Sequence, residues 1–401
     1  MAFIITFGAV NYKKFILLQR FVVKIAIVHD WLSTYAGAES VLAQIIACYP
    51  HADVYTLVDY LTPKERGLLK AKSITTSFVQ KIPFMRQKYR LFINLFTYAI
   101  EQFDLSQYDL IISSSHAVAK GVLTGPNQLH ICYCHSPMRY AWDLQHQYLN
   151  ESGLNKGIKS IVARFMLHKL RLWDYRTANG VDYFIANSKF IANRINKIYR
   201  RQATVIYPGI NLTKYASNAN RKKNYFLAVS RLVPYKKMAL IAEAFKLMPD
   251  RQLIMIGSGP EQKKIERLIA NTANITFLGY QPENTLIDYL QQAQALVFAA
   301  EEDFGIISIE AQACGTPVIA YAKGGNLETV INIDQINPTG VLFTEQTTAS
   351  ICQAVTTFRQ QQHLITSSSC ISNAQKFSND EFKEKLTHFV KDKLHDFQLQ
   401  N

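Results

Sequence analysis

Glu302-Asp-Phe-Gly-Ile-Ile-Ser-Ile-Glu310 is the stretch that decides the fold of this 401-residue chain. Its two outer carboxylates flank a Phe-Gly turn, and the apolar run 293–299 before it predicts a strand. A strand, a loop and a helix in this order place Glu302 and the backbone of Gly305 at the carboxyl end of a parallel sheet, where open α/β sheets bind ligands. The helix N-terminus suits a phosphate, and the carboxylate of Glu310 suits the two hydroxyls of a ribose. Taken alone, the same pattern also fits an ordinary βα unit with solvated acids.

The residues that follow favour the ligand-binding interpretation. Ala311-Gln-Ala-Cys-Gly-Thr-Pro317 continues the predicted helix, and Gly324-Gly-Asn-Leu-Glu328 follows the next apolar run. Together with the first stretch they closely resemble the retaining, nucleotide-sugar-dependent glycosyltransferases of family 4, which have the GT-B fold. The donor-site residues that this resemblance implies are Glu302, as the contact to the donor sugar, and Phe304, Gly305, Ile306 and Glu310.

The resemblance covers nearly the whole chain and implies an α/β fold of two Rossmann-like, doubly wound domains that face a central cleft. Strand-like and helical runs do alternate along the sequence, as such sheets require. We expect an acceptor-binding domain over 23–207, a nucleotide-sugar-binding domain over 208–376 and a C-terminal helix over 377–401 that packs back on the first domain. Residues 1–22 are expected to be an upstream artefact or a loosely attached arm, because the first convincing core strand begins at Val23.

A second motif supplies positive charge. Ser230-Arg231-Leu-Val-Pro-Tyr-Lys236-Lys237 follows a predicted strand, and two cations around a proline turn can hold a diphosphate. The segment resembles the one whose Arg and Lys bind the donor diphosphate in the family, which implies catalytic roles for Arg231 and Lys236 and none for Lys237. Fixed cations stabilise a leaving diphosphate without a metal. Because the sequence contains no D-x-D motif, we expect a metal-independent site without a cofactor.

Two glycine turns complete the predicted donor site. Ile256-Gly-Ser-Gly-Pro260 resembles the G-x-G-P turn of the family, and Phe277-Leu-Gly279-Tyr280 resembles the segment beside the nucleobase, so that Gly257 and Gly279 are implied donor contacts. NAD binding is disfavoured, because a dinucleotide fingerprint needs a third glycine where this chain has Gln262.

The first half contributes further candidates. Ala36-Gly37-Ala38-Glu39 lies at the first strand–helix junction, and the resemblance implies that Gly37 approaches the donor phosphate. His135-Ser-Pro-Met-Arg139-Tyr-Ala-Trp142 resembles a segment of a mannosyltransferase-like subgroup, with His135 facing the reacting sugar and Arg139 positioning the acceptor. Lys120 is expected to line the acceptor cleft, and His29 and Asp30 are second-rank candidates.

The composition points to an anionic partner. The net charge is +14, and basic residues alternate with apolar ones over Lys64–Arg90 and Lys156–Arg171. Both stretches fit basic amphipathic helices on an anionic membrane surface, or solvated helices packed on their own domain. Nucleic acid is disfavoured, because no recognised binding motif accompanies the charge. Six scattered cysteines favour a reducing compartment, and Cys132-Tyr-Cys134-His135 lacks the second ligand cluster of a metal site.

The sequence therefore predicts a retaining hexosyltransferase that moves mannose from GDP-mannose to a lipid-linked or saccharide acceptor in surface-polysaccharide assembly. We expect it in the cytoplasm, peripheral on the inner face of the membrane. Two alternatives remain at this stage. A GT-B nucleotide-sugar epimerase would need no acceptor site, and a catalytically silent membrane-associated scaffold would not need the site residues.

Overall fold

The computed structural model describes residues 23–83, 85–88, 92–215 and 222–400. The predicted extension 1–22 and part of the basic stretch, including Arg90, lie outside the described residues. Thirteen strands are described, all of them paired in parallel. They are β1 (Ile25–His29), β2 (Asp53–Thr56), β3 (Ile74–Thr76), β4 (Leu110–Ser115), β5 (Leu129–Cys134), β6 (Tyr183–Ala186), β7 (Ala203–Val205), β8 (Phe226–Val229), β9 (Leu253–Ile256), β10 (Ile275–Phe277), β11 (Leu296–Phe298), β12 (Val318–Tyr321) and β13 (Gly340–Phe343).

The strands form two sheets. The first has seven strands in the order β3-β2-β1-β4-β5-β6-β7, and the second has six in the order β10-β9-β8-β11-β12-β13. In register, Ile27 of β1 lies between Val54 of β2 and Ile112 of β4. Nearly every residue of the central strands is buried, which explains why they read as continuous apolar runs in the sequence.

Helices cover both faces of each sheet, as a doubly wound fold requires. They are α1 (Gly37–Cys48), α2 (Pro63–Leu69), α3 (Met85–Lys88), α4 (Ile93–Ile100), α5 (Gln145–Glu151), α6 (Gly157–Thr177), α7 (Lys189–Tyr199), α8 (Leu212–Tyr215), α9 (Met238–Lys246), α10 (Gln262–Ile269), α11 (Glu283–Gln292), α12 (Ile306–Ala313), α13 (Asn326–Thr329), α14 (Thr348–Gln361), α15 (Ser367–Gln375) and α16 (Asn379–Gln400). The α/β fold of two Rossmann-like halves is thereby confirmed.

The strand order reverses once in each sheet, between β1 and β4 in the first and between β8 and β11 in the second. At such a switch point the neighbouring loops diverge to opposite faces and leave a crevice at the carboxyl ends of the strands. The loops with Asp30 and His116 border the first crevice, and those with Arg231 and Glu302 border the second. These four residues thus follow the switch-point strands of the two halves.

The C-terminal helix α16 belongs to the core of the first half. It buries Phe382, Leu386 and Val390 among residues of the first sheet, and the rings of Phe382 and Tyr133 lie 5.8 Å apart. The chain crosses between the halves at two adjacent points, since the N–H of Ile210 donates to the carbonyl of Phe377 (2.8 Å). Gln44 of α1 secures the crossing through two hydrogen bonds to the backbone of Gly209, of 2.7 and 2.9 Å.

The two basic stretches differ in structure. The stretch Lys156–Arg171 does form one helix, because Lys156 is the N-cap of α6 and the residues after it lie within α6. The described part of Lys64–Arg90 is not a single helix, so that expectation was wrong. Helix α2 ends where Lys70 adopts a left-handed conformation with φ of 51°, and the short strand β3 follows. None of the helices in the described part of the chain is both long and apolar enough to cross a membrane.

Candidate active site

The two switch-point crevices approach each other across the boundary between the halves. A methyl group added at Gly37, where α1 begins, would lie 3.3 Å from the Cδ1 of Ile306, where α12 begins. Both predicted donor contacts are therefore brought together from opposite halves. Two helix N-termini, with their unpaired N–H groups, point toward the same region.

Lys236 and Glu302 form an ion pair in the second crevice. The ammonium of Lys236 donates to Oε1 of Glu302, and both side chains are mostly shielded from solvent. Arg231 lies on the same loop as Lys236, is exposed, and donates to the hydroxyl of Tyr235 (2.8 Å). The structure thus assembles the three residues that were predicted to carry the chemistry on the donor side, with Arg231 free to turn toward an anion.

The glycines of Gly324-Gly325 explain how the Glu302 loop is held. The N–H of Gly325 donates to the carbonyl of Glu302 (2.8 Å). A Cβ at Gly324 would lie 2.2 Å from that carbonyl oxygen, and one at Gly325 would lie 2.4 Å from the Cα of Phe304. Only residues without a side chain allow this backbone contact, so the glycine motif that follows β12 is a packing requirement of the Glu302 loop.

Gly305 starts α12 in a left-handed conformation, with φ of 86°. The side chain of Phe304 does not face the crevice. It is buried between the rings of Tyr207 and Phe377. The centroids of the three rings lie 5.3–5.7 Å from one another. The expectation of Phe304 as a donor contact is corrected to this extent, because the aromatic ring packs in the core and only its backbone borders the site.

Glu310 lies on α12 and accepts a hydrogen bond from the hydroxyl of Tyr215 (2.7 Å). Burial raises the pKa of Glu310, and the hydrogen bond from Tyr215 opposes that shift. The second carboxylate oxygen has no protein partner among the described residues and is available to a ligand hydroxyl.

Gly257 and Gly279 lie side by side below the Arg231 loop. The N–H of Gly257 donates to the carbonyl of Gly279 (2.9 Å), and a Cβ at Gly257 would lie 1.9 Å from the carbonyl oxygen of Ser230. A Cβ at Gly279 would meet no atom within 4 Å, so that its backbone borders open space. Both are in place to border a bound nucleotide, while their contacts with one remain predictions.

On the opposite side, His135 follows β5 and takes part in a chain of polar contacts. Its Nε2 is 2.9 Å from the Oγ of Ser114, which is 3.1 Å from the Nδ1 of His29. Burial, together with the nearby His116 and His29, lowers the pKa of His135 to about 3. His135 is therefore neutral at physiological pH and can act as a hydrogen-bonding group toward a sugar, not as a cation.

The buried Asp30 and the partly exposed His116 form a pair that the sequence did not single out as such. Asp30 accepts hydrogen bonds from the consecutive backbone N–H groups of 116–119, at 2.5–3.0 Å, and lies 3.0 Å from the Nδ1 of His116. Burial alone would raise the pKa of Asp30, but His116, His29 and the amides hold it well below its usual range. Asp30 therefore shapes the loop after β4 and carries a permanent negative charge.

Arg139 faces the second half across the cleft. Its Nη1 donates to Oδ1 of Asp303 (3.1 Å), the residue that follows Glu302. Ser188 strengthens the same junction by donating to the carbonyl of Asp303 (2.6 Å), and Asn187 donates to the carbonyl of His135 (3.0 Å). The structure thus links Arg139 and Ser188 to the Glu302 loop, and the role of Arg139 toward an acceptor stays a prediction.

Glu328, the last residue of the glycine motif, joins the halves. It accepts hydrogen bonds from the backbone N–H groups of Lys189 (2.8 Å) and Phe190 (3.0 Å) at the start of α7, and from the hydroxyl of Tyr207 (3.0 Å). A carboxylate at a helix N-terminus is a favourable cap. Here helix and cap belong to different halves, a contact that sequence reasoning missed because the partners are over 120 residues apart.

Lys120 is a correction. It was expected to line the acceptor cleft, but it is 2% exposed and its ammonium forms an ion pair with Asp174. Asp174 also accepts hydrogen bonds from Trp142 (2.7 Å) and Tyr199 (2.9 Å). Because a buried charge is stable only when it is paired, Lys120 and Asp174 form a structural network inside the first half.

In the described part of the chain, no group of three or more His, Cys, Asp or Glu side chains is arranged to hold a metal ion. The prediction of metal independence stays a prediction.

Two family models match adjacent parts of the chain. The model described as Glycosyltransferase Family 4 matches residues 35–214, and the one described as Glycosyl transferases group 1 matches residues 211–377. They meet at the crossing between the two sheets.

Curated relatives match part of their length. An uncharacterised glycosyltransferase of Methanocaldococcus jannaschii is 30% identical over 179 residues, which are 44% of this chain and 50% of the relative. The GDP-mannose-dependent monoacylated alpha-(1-6)-phosphatidylinositol monomannoside mannosyltransferase of Corynebacterium glutamicum is 37% identical over 114 residues, 25% of this chain and 30% of the relative. The chain thus spans half or less of the length of these relatives.

Solved structures match over almost the full chain and establish the fold. Sucrose-phosphate synthase from Thermosynechococcus elongatus superimposes with a TM-score of 0.71 at 18% identity, over 93% of this chain and 100% of that one. The Anabaena protein HepE in complex with UDP gives a TM-score of 0.68 at 19% identity, over 92% and 100%. The two parallel sheets and these likenesses show that the chain has the GT-B fold, and its residues 35–377 match the two glycosyltransferase family models.

Proposed function

We propose that the protein is a retaining, metal-independent hexosyltransferase that uses a nucleotide sugar as donor. The observation that carries the proposal is the Lys236–Glu302 pair beside Arg231 at the switch point of the second sheet, opposite the neutral His135 of the first. The cations of the second crevice face the neutral ring of His135 in the first half. Such an arrangement suits a diphosphate on one side and a reacting sugar between the halves.

The chemistry follows from these charges. The bond between the anomeric carbon of the sugar and the diphosphate oxygen breaks, and a bond from that carbon to an acceptor oxygen forms on the same face. The acceptor proton passes to the departing diphosphate. Arg231 and Lys236 stabilise the charge that develops on the leaving group, and Glu302 orients Lys236 and a sugar hydroxyl. We name no covalent nucleophile.

For the donor we propose GDP-mannose. Support comes from the resemblance of the His135–Trp142 segment to a mannosyltransferase-like subgroup and from the relative whose name states GDP-mannose dependence. The acceptor is proposed to be lipid-linked or saccharide, in surface-polysaccharide assembly. An epimerase or a silent scaffold would not need Arg139 joined to the Glu302 loop across the cleft.

The test is a thermal-unfolding panel of nucleoside diphosphates and nucleotide sugars, followed by product analysis. A ligand at 100 times its Kd stabilises the native state by about 2.7 kcal/mol, so the true donor should raise the Tm measurably. Transfer with retained anomeric configuration, also in EDTA, is the expected outcome. Stabilisation by UDP-sugars alone would refute GDP-mannose, and epimerised donor without transfer would refute the transferase.

We further propose that α6 rests on an anionic membrane on the cytoplasmic side. One face of this helix packs on the first half through Leu167 and Leu170, and the opposite face leaves Ile158 80% and Phe165 57% exposed. Exposed lysines flank it, and Lys169 lies over the Phe165 ring. The exposed apolar side chains of this face are Ile158, Ile161, Val162, Phe165, Met166 and Leu172.

Such a face binds by burying apolar area and by attracting anionic lipid. The test is co-sedimentation with phosphatidylglycerol vesicles for the wild type and an Ile161→Ser/Phe165→Ser variant. The matched control is Ile336→Ser, which removes an isolated side chain that is 87% exposed in the second half. Binding that only the α6 variant loses supports the proposal, and wild type that stays in the supernatant at low salt refutes it.

A further inference from the structure

The loop after β4 carries a residue that the proposed chemistry does not yet use. We propose that His116 is an anion contact of the first half, which donates from Nε2 to a phosphate oxygen of the donor diphosphate opposite Arg231. The inference rests on the proposed nucleotide-sugar donor and adds a proton-linked residue to its binding.

The position of His116 is fixed by residues on the buried side of its ring. Asp30 is fully buried, accepts the backbone N–H groups of 116–119, and lies 3.0 Å from Nδ1 of the ring. Trp31 meets the ring edge-on, with centroids 4.7 Å apart. A ring held by a carboxylate at one nitrogen and by an aromatic face has a defined direction for its second nitrogen.

The second nitrogen is open. The His116 side chain is 28% exposed, and its Nδ1 is shielded from solvent, so the open edge is the one with Nε2. Among the described residues, no hydrogen bond to Nε2 is found, whereas Nδ1 lies at ion-pair distance from Asp30. An imidazole whose Nδ1 faces a carboxylate presents an N–H donor at Nε2 when it is protonated.

Charges from every side bear on this ring. Burial opposes protonation of His116, but Asp30 and, more weakly, Glu39 of α1 outweigh it and raise its pKa. Arg231 of the second half acts in the opposite direction and lowers the pKa of His116. The two crevices approach each other where a methyl group added at Gly37 would lie 3.3 Å from the Cδ1 of Ile306. His29 and His135, with ring centroids 6.1 and 6.4 Å away, complete its surroundings.

Two cations that face each other across a crevice repel until an anion lies between them. Arg231 is the residue that the family resemblance assigns to the donor diphosphate, so the same diphosphate is the anion that would relieve the repulsion with His116. His135 cannot be the second cation, because its ring is neutral. The donor diphosphate thus gains a contact from the first half that exists only while His116 is protonated.

The experiment measures the affinity for GDP and UDP by calorimetry between about pH 6 and pH 8.5, a range that spans the ordinary histidine pKa and values above it. At about pH 6, the wild type should bind the preferred nucleotide roughly tenfold more tightly than His116→Asn does, as expected for one charged hydrogen bond. The two should converge as the pH rises and His116 loses its proton. Because both bind the same ligand, titration of the phosphate itself cancels in this ratio.

The matched control is His388→Asn, an exposed histidine of α16 paired with Asp392, which should follow the wild type at every pH. A ratio of wild-type to His116→Asn affinity that does not change with pH would overturn the proposal, even if glycosyl transfer is confirmed. If His116→Asn does not fold, the test is made on the wild type alone. The number of protons taken up when the nucleotide binds is then measured at about pH 8.5. Uptake supports a protonated His116 in the complex, and no uptake overturns it.

Discussion

Gly324→Ala tests how the Glu302 loop is held. Gly324 has φ of 70°, and its missing Cβ would lie 2.2 Å from the carbonyl oxygen of Glu302. A left-handed conformation costs an alanine about 1–2 kcal/mol, and overpacking adds about 1–3 kcal/mol. We therefore expect the free energy of unfolding to fall by about 3 kcal/mol. Because the clash displaces the partner of Lys236, kcat/KM should fall at least tenfold.

The matched control for this change is Gly153→Ala. Gly153 has nearly the same φ, 65°, but a Cβ there would meet no atom within 4 Å, and the residue lies outside the site. In this variant the free energy of unfolding should fall only by the cost of the left-handed conformation, about 1 kcal/mol, and the activity should be unchanged. Urea unfolding and steady-state kinetics measure both quantities. Equal stability of the two variants, with full activity of Gly324→Ala, would refute the packing role of the glycine motif.

Three further outcomes are expected. Glu310→Ala should fold normally and lower kcat/KM about 30- to 150-fold, the value of two hydrogen bonds to a carboxylate, whereas unchanged kinetics would remove Glu310 from the donor site. Arg231→Ala and Lys236→Ala should lower kcat as well as donor affinity, and Lys237→Ala should not; a sensitive Lys237 would shift the assignment of the clamp. Asp30→Asn should destabilise the protein by about 3 kcal/mol near neutral pH. Since the pKa of Asp30 is depressed on folding, this difference should persist above the unfolded pKa of about 3.9 and shrink as the pH falls below it in equilibrium unfolding.

Much of the fold could be predicted because its strands are buried on both faces. The apolar runs around Ile27, Ile112 and Val297 are legible without any partner, and the alternation of strands and helices then leaves few topologies. β3 is harder to predict, because its three residues, Ile74–Thr76, form a short edge strand with little apolar signal. The expectation of a single helix over Lys64–Arg90 was wrong. It rested on the spacing of the basic residues, but α2 ends at a residue in the left-handed conformation.

The site was predictable where function depends on local motifs, and less so where it depends on contacts between distant segments. The loop motifs around Arg231 and Glu302 lie together as their positions after switch-point strands imply. Lys120 was misassigned because its buried partner Asp174 lies 54 residues away, with no local signal. The same holds for Glu328, which caps a helix of the other half.

The most direct test of the central claim is a crystal structure of the protein with its nucleoside diphosphate. We predict that the diphosphate lies between Arg231, Lys236 and the N-terminus of α12, that the ribose hydroxyls contact Glu310, and that the base lies beside Gly279. A nucleotide bound with its phosphates away from both cations, or outside the cleft between the two switch points, would contradict this account.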